Sequence, residues 1–348
     1  MSNFNSTFKI GNDNVGIGCP TYIIAEMSAN HGHSLQRAIE LICAAKEAGA
    51  NAIKLQTYTA DTLTLNHRSK DFYIDRGPWQ GQYMYDLYKD AHTPWEWHAQ
   101  LVDEAKKIGI TLFSSPFDPT AVDFLADLDM PAYKIASTEF IDIPLIRKVA
   151  QTGVPVIMST GNATIAQIGE ALDCVKEEGV KDIILLKCTS EYPAPPDSIN
   201  LKTIADMNDR FGCISGLSDH TMGISIPISS IAFGAKVIEK HFVMDRNDKT
   251  ADSFFSATPA EFKLLVDSIR TVEKAIGDIS YPEVEQPERR CLIVVKDIKK
   301  GDLITEENVK SLRPGGGIAP KHYYQVVGKC RALQDIHKGE LLQWDQIT

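Results

Sequence analysis

The 348-residue chain has no apolar run near the ~18 residues that a membrane span requires, so no transmembrane helix is expected. The opening stretch Met1-Ser2-Asn3-Phe4-Asn5 lacks a basic patch and an apolar segment, so no secretory leader is expected. Positive charge is in short supply. There are 36 Lys and Arg against 46 Asp and Glu, a net charge of −10, which argues against nucleic acid as a bulk partner. The seven cysteines are scattered and form no Cys-x-x-Cys pair, so neither a disulfide framework nor a zinc cluster is indicated. Reduced thiols in the cytoplasm are the expectation. No Gly-x-Gly-x-x-Gly follows the first strand-like run, which argues against an open dinucleotide-binding sheet. Fixed-period repeats and low-complexity tracts are also missing.

What the chain does contain is a repeated alternation. Eight short runs are rich in Ile, Val, Leu or aromatics: Tyr22–Ala25, Ala52–Gln56, Thr111–Ser114, Ala132–Ala136, Pro155–Ser159, Ile183–Cys188, Cys213–Leu217 and Lys236–Lys240. They read as strands buried on both faces. Amphipathic helical patterns lie between them. One covers 35–48 and closes at Gly49. Another starts at Pro94 with Thr93 as its N-cap and ends near Gly109. Others cover 119–128, 142–152, 164–178, 200–210, 223–234 and 259–276. Eight strand–helix units predict an α/β fold of the (β/α)8 TIM-barrel type.

Phe8–Ile17 precedes the first unit and is expected to cap the barrel floor. Residues 58–92 form a long connection, expected to be a lid or an insertion, with Phe72, Tyr73, Trp79, Tyr83, Tyr85 and Tyr88. After Gly277 the texture changes. Tyr281–Glu288 is acidic, carries two prolines and reads as an extended linker. The remainder has β-like runs at Cys291–Val295 and Leu341–Trp344 and many glycine turns. The predicted organisation is a barrel domain over 1–277, a linker over 278–288 and a small β-rich domain over 289–348.

Active-site groups of such barrels sit at the C-terminal strand ends. Here those ends carry Glu26; Lys54 and Gln56; Ser114 and Ser115; Lys134, Ser137 and Glu139; Ser159 and Thr160; Thr189, Ser190 and Tyr192; Ser218, Asp219 and His220; Lys240 and His241. Ser115, Ser137, Ser159 and Ser218 with Lys54 and Lys134 suit an anionic oxygen cluster such as phosphate plus carboxylate. A lysine inside an apolar strand is costly without a counter-charge. A bound anion supplies one; so would a salt bridge to Glu26 or Glu139. His220 and His241 end neighbouring strands, within reach of one divalent ion with an open coordination sphere. Two satisfied core histidines are the plainer alternative. Glu26 and Glu139 are candidate general bases, or orienters of the lysines.

Taken together, Glu26-Met27-Ser28-Ala29-Asn30-His31, Lys54-Leu55-Gln56-Thr57, Ser114-Ser115-Pro116-Phe117-Asp118, Lys134-Ile135-Ala136-Ser137, Gly216-Leu217-Ser218-Asp219-His220-Thr221 and Glu239-Lys240-His241-Phe242 resemble the sialic acid synthase family. Arg313-Pro314-Gly315-Gly316-Gly317-Ile318-Ala319-Pro320 resembles the signature of its C-terminal antifreeze-like (SAF) domain. Ala29-Asn30-His31 and Thr93–His98 look most like the pseudaminic acid branch.

The resemblance implies condensation of phosphoenolpyruvate with the open-chain aldehyde of an amino sugar, by C–O cleavage. For that branch the sugar is 2,4-diacetamido-2,4,6-trideoxy-L-altrose, and the products are pseudaminic acid and phosphate. It implies a divalent cation (Mn2+, Mg2+ or Co2+) on His220 and His241, and phosphoenolpyruvate on Lys54, Ser115, Lys134, Ser137, Ser159, Ser190 and Ser218. Ser190 stands where sialic acid synthases carry Asn. Gln56, Tyr192 and Asp252 fall on sugar-side positions. Arg313 matches an arginine that reaches the partner subunit's barrel, implying a domain-swapped homodimer. Gly32 and Asn162 depart from the family pattern and bear on sugar selectivity, with the loops at 29–34 and 58–98 as its expected seat. The alternatives are a synthase for N-acetylneuraminate or legionaminate, a barrel hydrolase or Schiff-base aldolase, and a non-catalytic binding module.

Overall fold

The structure is a computed structural model that describes residues 4–283 and 289–348. It divides into two compact units, Met1–Gly277 and Asp278–Thr348.

In the first unit an antiparallel hairpin, β1 (Thr7–Ile10) and β2 (Asp13–Gly16), precedes eight parallel strands. These are β3 (Tyr22–Glu26), β4 (Ala52–Thr57), β5 (Thr111–Pro116), β6 (Tyr133–Ile135), β7 (Val156–Ser159), β8 (Ile183–Cys188), β9 (Ile214–Asp219) and β10 (Val237–His241). They close in sequence order, β10 pairing with both β9 and β3. The expected (β/α)8 architecture is therefore found. The apolar runs are buried because one face fills the barrel and the other meets the helices. Gly216 on β9 is required by that closure. A Cβ there would lie 2.1 Å from the Val237 carbonyl oxygen on β10. The hairpin packs Phe8, Ile10 and Val15 into the main core. Asn51, just before β4, donates to Asp13 at 3.3 Å, which ties the hairpin to the N-terminal end of the barrel.

Helix boundaries follow local chemistry. Ser34 caps Leu35–Glu47, and Gly49 leaves it at φ +90°. Thr164 and Thr258 form capping boxes at Ile165–Glu177 and Pro259–Ile276.

Two sequence expectations need correction here. Thr93 is not a helix N-cap. Pro94 is extended, a 3-10 turn fills Trp95–Trp97, and the α-helix starts at His98. The Thr93 hydroxyl is occupied by His31 Nε2 at 3.1 Å instead. The long connection over 58–92 carries structure of its own. It holds helices at Ala60–Leu63 and Met84–Ala91, a 3-10 turn at Lys70–Phe72 and a Tyr73–Tyr83 bridge. The 223–234 segment is a short helix, Ser225–Ser230, tightening into a 3-10 turn that Gly234 ends at φ +89°.

In the second unit β11 (Cys291–Val294) pairs antiparallel with β12 (Val309–Leu312). Leu292, Val294, Ile304, Val309, Ile318, Ile336 and Leu342 form its own core. Leu341–Trp344 is not a strand. Leu341 makes a single bridge to Ile293, and a 3-10 turn begins at Trp344. Within the predicted linker Ile279 and Tyr281 are exposed, and Val284–Glu288 lies outside the described residues.

Candidate active site

Alternation along the strands sorts the C-terminal rim into two faces. On the inner face Lys54 Nζ sits 2.7 Å from Glu26 Oε2, 3.7 Å from Glu239 Oε1 and 3.2 Å from Ser115 Oγ. Lys134 Nζ lies 3.8 Å from the same Glu239 oxygen. Ser218 Oγ donates to Glu239 Oε1 at 3.3 Å. All of these side chains are buried. The counter-charge that Lys134 needs is thus Glu239, not Glu139. Glu139 forms no ion pair among the described residues; it stands on a 3-10 turn and accepts from its neighbour Thr138 at 2.7 Å.

Burial sets the electrostatics. Burial raises the Glu26 carboxyl to about 7, against the pull of Lys54. For Glu239 burial acts in the same direction, but Lys134 and Lys54 outweigh it and hold the group below its ordinary range. Burial would depress Lys54, yet Glu239 and Glu26 keep it above its usual value. Lys134 has only the more distant Glu239 contact, and burial pushes it down. Lys134 is therefore the less compensated cation. Beside it the Ser159 Oγ and Glu239 Oε2 are buried with no hydrogen-bond partner among the described residues. An incoming anion would accept from the Ser159 hydroxyl.

Backbone shape brings in the remaining hydroxyls. Gly161 follows β7 at φ +46°, and a Cβ there would meet Ser137 Cβ at 2.5 Å and Ser190 Oγ at 3.2 Å. The Cys188 thiol is raised by burial, with Ser137, Lys134 and Ser218 pulling the other way. Lys54, Ser115, Lys134, Ser137, Ser159, Ser190 and Ser218 thus occupy one cradle.

The two histidines stand beside it, ring centroids 5.4 Å apart. His220 Nδ1 meets the Thr189 carbonyl at 2.8 Å, which assigns the proton to Nδ1 and leaves the Nε2 lone pair free. Burial lowers its pKa to about 4. Burial and then His220 hold His241 well below its ordinary value. Its buried Nδ1 has no hydrogen-bond partner among the described residues, with Asp252 Oδ2 at 3.8 Å. Two neutral imidazoles, one with an orphaned nitrogen, fit a divalent cation. No cluster of three or more His, Cys, Asp or Glu suited to a metal exists among the described residues. The remaining positions would therefore fall to substrate and solvent.

A second group of side chains surrounds Gln56 and Tyr192. Gln56 donates to Glu26 at 2.8 Å and to Ser28 at 3.1 Å. Ser28 bonds Asp252, whose carboxyl burial raises to about 6. Tyr192 stacks on His220 at 4.3 Å and meets Phe255 at 5.2 Å. Trp79 packs on Tyr192 at 5.3 Å and donates its indole N–H to the Ala251 carbonyl at 2.9 Å. Arg313 is exposed in the second unit.

Some rim residues do not join the cradle. Asp219 and Lys240 face away and pair with each other at 2.6 Å. Ser114 bonds Thr57, which also bonds His98. Asn30 is spent on the Phe242 carbonyl, Ser256 and Thr250, and His31 on Thr93 and the His33 amide. The 29–34 loop is thus anchored through its polar side chains. Sequence reasoning gave Glu239 no role. Counting back two residues from His241 was the available signal.

A closed parallel barrel with buried charge and two neutral imidazoles at its C-terminal mouth defines a (β/α)8 enzyme. The chain belongs to the NeuB family, whose model matches residues 41–281, and a SAF domain model matches residues 289–348. Pseudaminic acid synthase of Campylobacter jejuni strain 81-176 is 44% identical over 348 residues, covering 99% of this chain and 98% of that protein. The pseudaminic acid synthase of Helicobacter pylori is 42% identical over 89% of this chain and 93% of its own. The crystal structure of N-acetylneuraminic acid (sialic acid) synthetase from Leptospira borgpetersenii with citrate matches at TM-score 0.73 and 31% identity. It covers 81% of this chain and 93% of that one. The family and both folds expected from the motifs are borne out.

Proposed function

We propose that the barrel, residues 1–277, condenses phosphoenolpyruvate with 2,4-diacetamido-2,4,6-trideoxy-L-altrose, giving pseudaminic acid and phosphate by C–O cleavage. The SAF domain, 289–348, follows the 278–288 linker and serves the mouth of a partner barrel in a domain-swapped homodimer, through Arg313. The observation that carries the reading is the buried cradle of Lys54, Lys134 and unpartnered Ser159 beside two neutral imidazoles.

In this reading Lys54 and Lys134 hold the phosphate and carboxylate, with Ser115, Ser137, Ser159, Ser190 and Ser218 donating to their oxygens. Gln56, Tyr192 and Asp252 orient the sugar. A divalent cation on His220 and His241, Mn2+, Mg2+ or Co2+, supplies Lewis-acid polarisation of the aldehyde. C3 of phosphoenolpyruvate attacks the aldehyde carbon, water adds at C2, and the C2–O bond breaks as phosphate leaves with its bridging oxygen. Both Glu26 oxygens are engaged, by Gln56 and Lys54, so Glu26 orients. Glu139, whose carboxyl burial raises, acts on the water as base. Fixed positioning of the anion supplies much of the rate. Seven unpaired thiols fit a cytoplasmic enzyme. No helix among the described residues is long and apolar enough to cross a membrane.

The test is phosphate release from phosphoenolpyruvate with Mn2+ and each of three sugars: the diacetamido-altrose, N-acetylmannosamine and the diacetamido-mannose. Release with the altrose sugar is expected. Release only with another sugar keeps the chemistry and overturns the branch; silence with all three, from folded protein, overturns the function.

A further inference from the structure

Lys240 lies between Glu239 and His241 and faces away from the barrel interior. Its ammonium donates to Asp219 Oδ2 and to the Thr221 carbonyl, both at 2.6 Å. The other Asp219 oxygen accepts from the Thr221 amide at 3.1 Å and from its hydroxyl at 2.8 Å. Asp219 and Thr221 bracket His220, so the peptide on both sides of that histidine is gripped by one lysine. The same lysine directly precedes His241, and the β9–β10 register sets Lys240 opposite Asp219. The side chains of Lys240 and Asp219 are 2% and 0% exposed.

A buried ion pair is weak evidence of added stability, because desolvation offsets most of the attraction. Its place is the informative part: it joins the residues on either side of His220 to the residue before His241. A site with only two protein ligands has no third ligand to absorb a misplaced ring. We propose that Lys240 and Asp219 are positioning residues that fix the separation and tilt of His220 and His241, and so set the affinity of the chain for its divalent cation. This rests on the metal reading given above.

The test is calorimetric titration of Mn2+ into metal-free full-length protein without substrates, for wild type, Asp219→Asn and Lys240→Met. Thermal unfolding and metal-free phosphoenolpyruvate binding are followed in parallel. Asp219→Asn keeps the side-chain volume and one acceptor oxygen, so it decides the matter if Lys240→Met fails to fold. The expected result is a Kd for Mn2+ raised roughly 10- to 100-fold, the range seen when outer partners of metal ligands are removed, with phosphoenolpyruvate affinity unchanged. A folded Asp219→Asn protein that binds Mn2+ as wild type does, even with a lowered Tm, overturns the clamp alone. Wild-type protein that binds no Mn2+ overturns the metal reading and the clamp with it.

Discussion

Glu26 titrates where the enzyme would work. Its pKa of about 7 leaves it protonated below that pH and ionised above it. Only the ionised form draws Lys54 and the Gln56 amide into place. The kcat/KM for phosphoenolpyruvate should therefore rise as pH rises through about 7, and Glu26→Gln should lose that limb. A limb that survives in Glu26→Gln would assign it elsewhere. With His220 titrating at about 4, protons do not compete for that imidazole near neutrality. Lys54→Met leaves two buried carboxylates facing each other and should cost about 3–5 kcal/mol in denaturant unfolding. The lysines were legible in the sequence because a lysine within an apolar strand is conspicuous. Glu239 was not, because its partners on β4 and β6 become neighbours only when the barrel closes.

At the scale of elements, period-two alternation explains most of the site. Strand ends were readable; which of two consecutive polar residues faces inward was not, as the outward pair Asp219 and Lys240 shows. Two glycines make the close approaches possible. Gly216→Ala should lower Tm, since its Cβ would overlap the Val237 carbonyl and overpacking costs typically 1–3 kcal/mol or more. The insertion over 58–92 was visible from its length and aromatics, but the contact of Trp79 with Tyr192 depends on folding. Because its indole N–H is taken by Ala251, Trp79 offers an apolar ring only. Trp79→Ala should raise the KM for sugar by about tenfold, equivalent to ~1.4 kcal/mol, and leave the KM for phosphoenolpyruvate in place. Equal changes in both would remove Trp79 from the sugar side.

The whole molecule consists of two units with separate cores. Arg313 is exposed in the second unit. If it completes a partner's barrel, His241→Ala and Arg313→Ala proteins should each be nearly inactive alone. Mixed and allowed to exchange subunits, they should recover up to about a quarter of wild-type activity, since half the dimers are mixed and each holds one intact site. No recovery despite proven exchange would place Arg313 in its own subunit's site or outside catalysis.

The central claim is that the cradle holds the phosphoryl group still while bonds change at C2 of phosphoenolpyruvate. Turnover in water enriched in the heavy oxygen isotope, with mass analysis of both products, tests it directly. The account predicts label at C2 of the nonulosonic acid and none in the released phosphate. Label in the phosphate would mean P–O cleavage by water, and would contradict it.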